Sequence, residues 1–168
     1  MRIPFFLYWK GKIVPGESDH VIALYDFLRT AADLAGVAVP KTDGISLLAT
    51  LSGKPDLQPA HDYLYWENGT SSNQTQSIRK DNWWAFRSSP SDPVELYDIT
   101  KDIECLHNPA KDNPAIVSEI KEIFVKAHAD SEWYINPGDI EESIAFKGKR
   151  AVETGALQKS KRPDAMFT

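Results

Sequence analysis

Residues 3–9, IPFFLYW, form an apolar run interrupted only by Pro4. The run does not alternate between apolar and polar side chains. That pattern predicts a strand covered on both faces, as in the interior of an α/β sheet. The next stretch, KGKIVPGESD, reads as a loop with a turn at Pro15-Gly16. After it, SDHVIALYDFLRTAADLAG predicts a helix over 19–35, capped at Ser18 or Asp19 and ended by Gly36. Val21, Leu24, Tyr25, Leu28, Ala32 and Ala35 fall on one face at helical spacing, flanked by Ile22, Phe27 and Leu34. One strand and one helix cannot bury each other's second faces. The apolar surface of this first third therefore exceeds what it can cover by itself.

The remainder has a different character. Residues 37–60 form a connector rich in Pro and Gly, with a short helical turn within SLLATLSG. HDYLYWE reads as a strand, NGTSSNQTQ as a polar loop, and SIRKDNWWAFRS as a strand pair turning at Lys80-Asp81-Asn82. VELYDI adds another strand, so a small antiparallel sheet is expected. DNPAIVSEIKEIFVKAHAD is the clearest helix. Asn113 suits its N-cap and Pro114 its first position, where a missing N–H costs nothing. Its stripe of Ile116, Ile120, Ile123, Phe124 and Ala127 should cover one sheet face. The tail from Ser131 holds a candidate short helix and a loose end. The expected fold class is α/β (α+β). Its divisions are a strand–helix–linker segment over 1–60, an antiparallel sheet with a helix over 61–130, and an extended tail over 131–168.

Composition removes several functions. The net charge of −5 opposes a nucleic-acid surface. No apolar run approaches the roughly 18 residues of a membrane span, and residues 3–9 do not make a signal peptide. Cys105 is the only cysteine, which rules out an intrachain disulfide or a thiolate cluster.

Catalytic patterns are missing. His20, His61, His107 and His128 are scattered, and the closest approach to a metal set, His61-Asp62 with Glu67, puts 61 and 62 on opposite faces of a strand. There is no Gly-x-Ser-x-Gly elbow, no Gly-rich phosphate loop and no His-Glu-x-x-His. Trp66, Glu67 and Asn68 together suit a sugar ring and its hydroxyls, but they suit better a sheet-edge aromatic followed by a solvated loop. Asn68 and Asn73 each begin a formal glycosylation sequon.

Six stretches, in order, resemble the C-terminal part of the arylsulfatase-type sulfatases of the alkaline-phosphatase superfamily. RIPFFLYWKGKIVPG is similar to R-V-P-x-x-x-x-W-P-G-K-I-x-P-G, with Lys10 in place of proline. ALYDFLRTAADLAGVAVP resembles D-L-x-P-T-L-L-D-L-A-G-I-x-x-P, with Asp26, Thr30, Asp33, Leu34, Ala35 and Gly36 in place. DGISLLATLSGK, YLYWE, SIRKDNWWAF (against A-I-R-x-G-x-W-K-L) and ELYDITKDIECLHNPAKDNPAIVSEI complete the set.

The resemblance implies a sulfuric ester hydrolase whose full-length members use calcium and a formylglycine made from C/S-x-P-x-R. Both belong to positions upstream of the R-V-P segment. Cys105 lies in C-L-H-N-P and lacks that motif. The implied role is therefore a C-terminal part that shapes the outer substrate pocket without catalysing. Trp66, Glu67 and Asn68 are candidates for the rim; no catalytic, metal or cofactor residue is expected in this chain. Further expectations are a sulfated carbohydrate as the parent enzyme's substrate, a periplasmic or secreted parent, no nucleic-acid or membrane partner, and self-association through residues 1–36. The competing reading is a stand-alone binding module for a glycan or for a separate catalytic chain; an active phosphatase-like relative is a third.

Overall fold

A computed structural model describes residues 3–13, 15–70 and 73–129. The expected helix and loose end beyond Ser131 lie outside the described residues. The chain divides into two compact units between Leu64 and Tyr65.

In the first unit, α1 spans Asp26–Ala35, a single turn α2 spans Leu48–Leu51, and a 3-10 turn spans Pro55–Leu57. Gly36 ends α1 as expected. It adopts φ 66°, and its N–H and that of Val37 bond to the carbonyls of Asp33 and Ala32. Two expectations fail here. Residues 3–9 belong to no strand, and Phe6 and Tyr8 are 88% and 86% exposed. A strand exists only through hydrogen bonds to a neighbour, and the described residues offer this segment none. The helix also begins at Asp26 rather than near Asp19, and of the expected apolar face only Ala32 is buried. Leu24, Phe27 and Leu28 are exposed, whereas Asp26, Thr30 and Ala32 are buried. The polar face wins because the connector hydrogen-bonds to it.

That attachment centres on one carboxylate. Asp26 Oδ2 accepts the Ala23 N–H at 2.8 Å, and Oδ1 accepts the Ile45 N–H at 2.8 Å. His61 Nε2 lies 2.8 Å from the same Oδ1, and the His61 ring meets Tyr25 edge-on. Thr30 Oγ1 donates to the Asp26 carbonyl and accepts the Leu47 N–H at 3.0 Å. Gln58 closes the connector by donating to the Ser46 carbonyl and accepting from Thr50. Gly44 is required where the connector crosses the start of α1, since a Cβ there would fall 2.5 Å from the Tyr25 carbonyl oxygen.

The second unit is a four-stranded antiparallel sheet in the order β1-β2-β3-β4, with a helix on one face. Its strands are β1 Leu64–Thr70, β2 Asn73–Lys80, β3 Trp83–Arg87 and β4 Glu95–Asp98. Helix α3 spans Pro114–Ala127, with Asn113 and Pro114 in the expected first positions. The β2–β3 turn is Asp81-Asn82, and Asp81 takes the left-handed conformation at φ 51°. Asp can do so at modest cost because its short polar side chain bonds locally. Ile78, Ala85 and Leu96 stand in register across three strands, all fully shielded. Ile120, Ile123 and Phe124 of α3 supply the other buried layer, as the stripe predicts. The expected polar loop NGTSSNQTQ is mostly sheet: β1 runs to Thr70 and β2 begins at Asn73. Its Gln74-Thr75-Gln76 alternation continues the two-residue period of β2, and that period overrides the polar composition.

Candidate functional site

The polar centre of the second unit lies at the β1–β2 end of the sheet. Tyr65, Glu67, Gln74 and Gln76 share its α3-facing side. Glu67 Oε1 accepts from Gln74 Nε2 at 2.7 Å. Glu67 Oε2 accepts from the Tyr65 hydroxyl and from Gln76 Nε2 at 3.3 Å, and lies 2.8 Å from His128 Nδ1 just beyond α3. Gln76 Nε2 also reaches the Tyr65 hydroxyl at 2.8 Å, while its oxygen accepts from Arg87 Nε at 2.6 Å. Arg87 donates onward to the Pro90 carbonyl, and its guanidinium lies 4.3 Å above the Phe124 ring.

Burial and hydrogen bonding oppose each other at these groups. Burial disfavours the Glu67 charge, but hydrogen bonds from Tyr65, His128, Gln74 and Gln76 outweigh it, holding the carboxyl below its ordinary 4.5. Burial and the neighbouring Glu67 carboxylate push the Tyr65 hydroxyl far up. Burial lowers Arg87, offset in part by Tyr65 and Glu67. The cluster is thus an ionic network that seats α3 on the sheet, with Gln74 Oε1 its one buried atom lacking a partner among the described residues. It offers no free base or nucleophile, because the hydrogen bonds hold Glu67 ionised and occupied.

The three residues singled out from sequence do not converge. Glu67 points into this network. Trp66 and Asn68, one residue away on either side, lie on the opposite face of the strand. Trp66 is 36% exposed and meets Trp84 with ring centroids 5.6 Å apart at 40°. Asn68 is exposed, and its carbonyl accepts the Thr75 hydroxyl at 2.9 Å. Sequence reading missed Tyr65, Gln74, Gln76 and His128 as partners of Glu67, and Arg87 as the partner of Gln76. The usable signal was the Gln-x-Gln-x-Ile alternation leading into a buried strand.

The residues do not fit the family's calcium and formylglycine. Among the described residues, no three His, Cys, Asp or Glu side chains group as a metal set. Cys105 sits at φ 56° in a turn whose Asp102 accepts the Leu106 and His107 N–H groups. Burial and the Asp102 charge push its thiol up, away from a reactive thiolate. No chemical step is assigned through either group.

The antiparallel sheet and helices of this chain match solved sulfatase structures. A solved 2-O GAG sulfatase superposes with a TM-score of 0.54 at 25% identity, over 82% of this chain and 27% of that one. The family model described as N-sulphoglucosamine sulphohydrolase, C-terminal, matches residues 1–130, and the chain belongs to that family. Relatives include the uncharacterized sulfatase YdeN of Escherichia coli (strain K12), 44% identical over 66 residues, or 38% of this chain and 12% of that protein. The N-acetylgalactosamine-6-O-sulfatase of Bacteroides thetaiotaomicron is 27% identical over 140 residues, or 73% of this chain and 26% of that protein. The chain thus spans 26% or less of these two relatives.

Proposed function

We propose that this chain acts as the C-terminal part of a sulfuric ester hydrolase for a sulfated carbohydrate, shaping the outer substrate pocket and not hydrolysing esters by itself. The observation that carries the reading is the family match across residues 1–130, a stretch that contains no C/S-x-P-x-R. The elevated Cys105 thiol and the satisfied Glu67 support it, since neither is poised as a nucleophile or base. The carbohydrate assignment draws on relatives named for N-acetylgalactosamine 6-O-sulfate and 2-O glycosaminoglycan chemistry. Division of labour between residues 1–60 and 61–130 is part of the same proposal. So is self-association through residues 1–36, supported by exposed Ile3, Phe5, Phe6, Trp9, Leu24, Phe27 and Leu28.

The test is an assay of the purified chain against an aryl sulfate and an aryl phosphate, with and without calcium. No turnover above buffer is expected. Metal-dependent turnover would overturn the proposal.

A further inference from the structure

Two faces of β1 carry different chemistry, and the candidate rim divides along that line. Glu67 has both oxygens engaged beneath α3 by Gln74, Tyr65, Gln76 and His128. On the other face Trp66 keeps 36% of its surface open, and Trp84 from β3 stands beside it with ring centroids 5.6 Å apart. Asn68 is exposed two residues further along the same strand and the same face.

We propose that Trp66 and Trp84 together form a stacking platform for one pyranose ring of a glycan, with the Asn68 amide bonding a ring hydroxyl. The proposal rests on the reading of the chain as part of a carbohydrate sulfatase. A pyranose presents a face of C–H groups that settles on aromatic rings, and an edge of hydroxyls that needs both donors and acceptors. A carboxamide provides both. Two indoles tilted by 40° make a wider shelf than one. Glu67 takes no part in the platform, because its carboxylate is engaged on the opposite side of β1. Trp84 also stands where the A-I-R-x-G-x-W-K-L pattern has lysine, so this shelf is a feature of this chain rather than of the pattern.

The test is titration of the full chain with a chondroitin 6-sulfate hexasaccharide and its chemically desulfated counterpart, followed by calorimetry. Both probes are expected to bind. Trp66→Ala and Trp84→Lys should each weaken the desulfated probe at least tenfold, and Trp84→Phe less than threefold. Reading the lysine variant with the desulfated probe keeps its added charge out of the comparison. Circular dichroism confirms that each variant is folded, and Trp66→Ala carries the comparison if Trp84→Lys is not. Glu67→Gln should leave the Kd within twofold. The platform is overturned if neither probe binds, if folded Trp66→Ala or Trp84→Lys binds like the parent, or if Glu67→Gln weakens binding as much as they do. None of these results touches the reading of the chain as a part of a sulfatase that does not catalyse by itself, which fails separately if the chain turns over an aryl sulfate.

Discussion

In the second unit Ile78, Ala85, Leu96, Ile120 and Phe124 are wholly shielded, whereas in the first Phe6, Tyr8 and Leu24 are 88%, 86% and 68% exposed. The second unit combines an apolar layer with an ionic network at one end. The first holds together through hydrogen bonds converging on Asp26, while its bulky side chains remain outside. The difference shows that local order does not require a closed apolar core. A buried carboxylate with several N–H donors can fix a helix to a connector. It cannot hide a run of aromatics.

The sharpest way to break this contrast is at Phe124. Phe124→Ala should destabilise the second unit by about 3–5 kcal/mol through loss of burial and the cavity left behind, measured by urea denaturation monitored in the near-ultraviolet. An effect below 1 kcal/mol would mean that the apolar layer does not hold that unit. Asp26→Ala should cost the first unit about 3 kcal/mol, since it strands the buried Ala23 and Ile45 N–H groups and His61. It should open residues 37–60 to limited proteolysis while leaving α3 protected. Gly44→Ala should produce the same cleavage pattern through collision with the Tyr25 carbonyl oxygen.

Glu67→Gln is expected to cost about 1–3 kcal/mol. It also carries a pH signature. The native carboxyl lies below its ordinary 4.5, so Glu67 stabilises the fold fully above that value. The contribution is lost as pH falls from 4.5 through the lowered native pKa. The parent should therefore lose stability along this acid limb more steeply than Glu67→Gln, measured by thermal melts from pH 6 to pH 2. Equal slopes would remove Glu67 from the network. The smallest change is expected from Phe6→Ser, within about 0.5 kcal/mol because the ring is already in water. That variant should nevertheless reduce any apparent mass above the monomer in size-exclusion chromatography with light scattering.

How far the sequence reveals the structure follows the same division. Helix α3, β4, the Lys80–Trp83 hairpin and the Gly36 stop all emerge from local patterns, because periodicity, proline position and turn chemistry act within a few residues. Residues 3–9 have the composition of a strand, but a strand is a relation between segments, and composition names no partner. The face of α1 is misread for a related reason. Leu24, Leu28 and Phe27 draw the eye, yet Asp26 decides packing through atoms 19 and 35 residues away. The buried glutamines are hidden by their polarity. Gln74 and Gln76 look like loop residues until Glu67, Tyr65 and Arg87 come within hydrogen-bond reach. At the candidate site, Trp66 and Asn68 could be picked out from sequence, but Trp84 could not, because only strand pairing brings it alongside.

Hydrogen exchange resolved by peptide mass spectrometry tests the contrast between the two units most directly. The account predicts slow exchange across 74–87 and 116–127, and exchange within seconds across 3–13. Equal protection of 3–13 and 74–87 in the monomeric chain would contradict it.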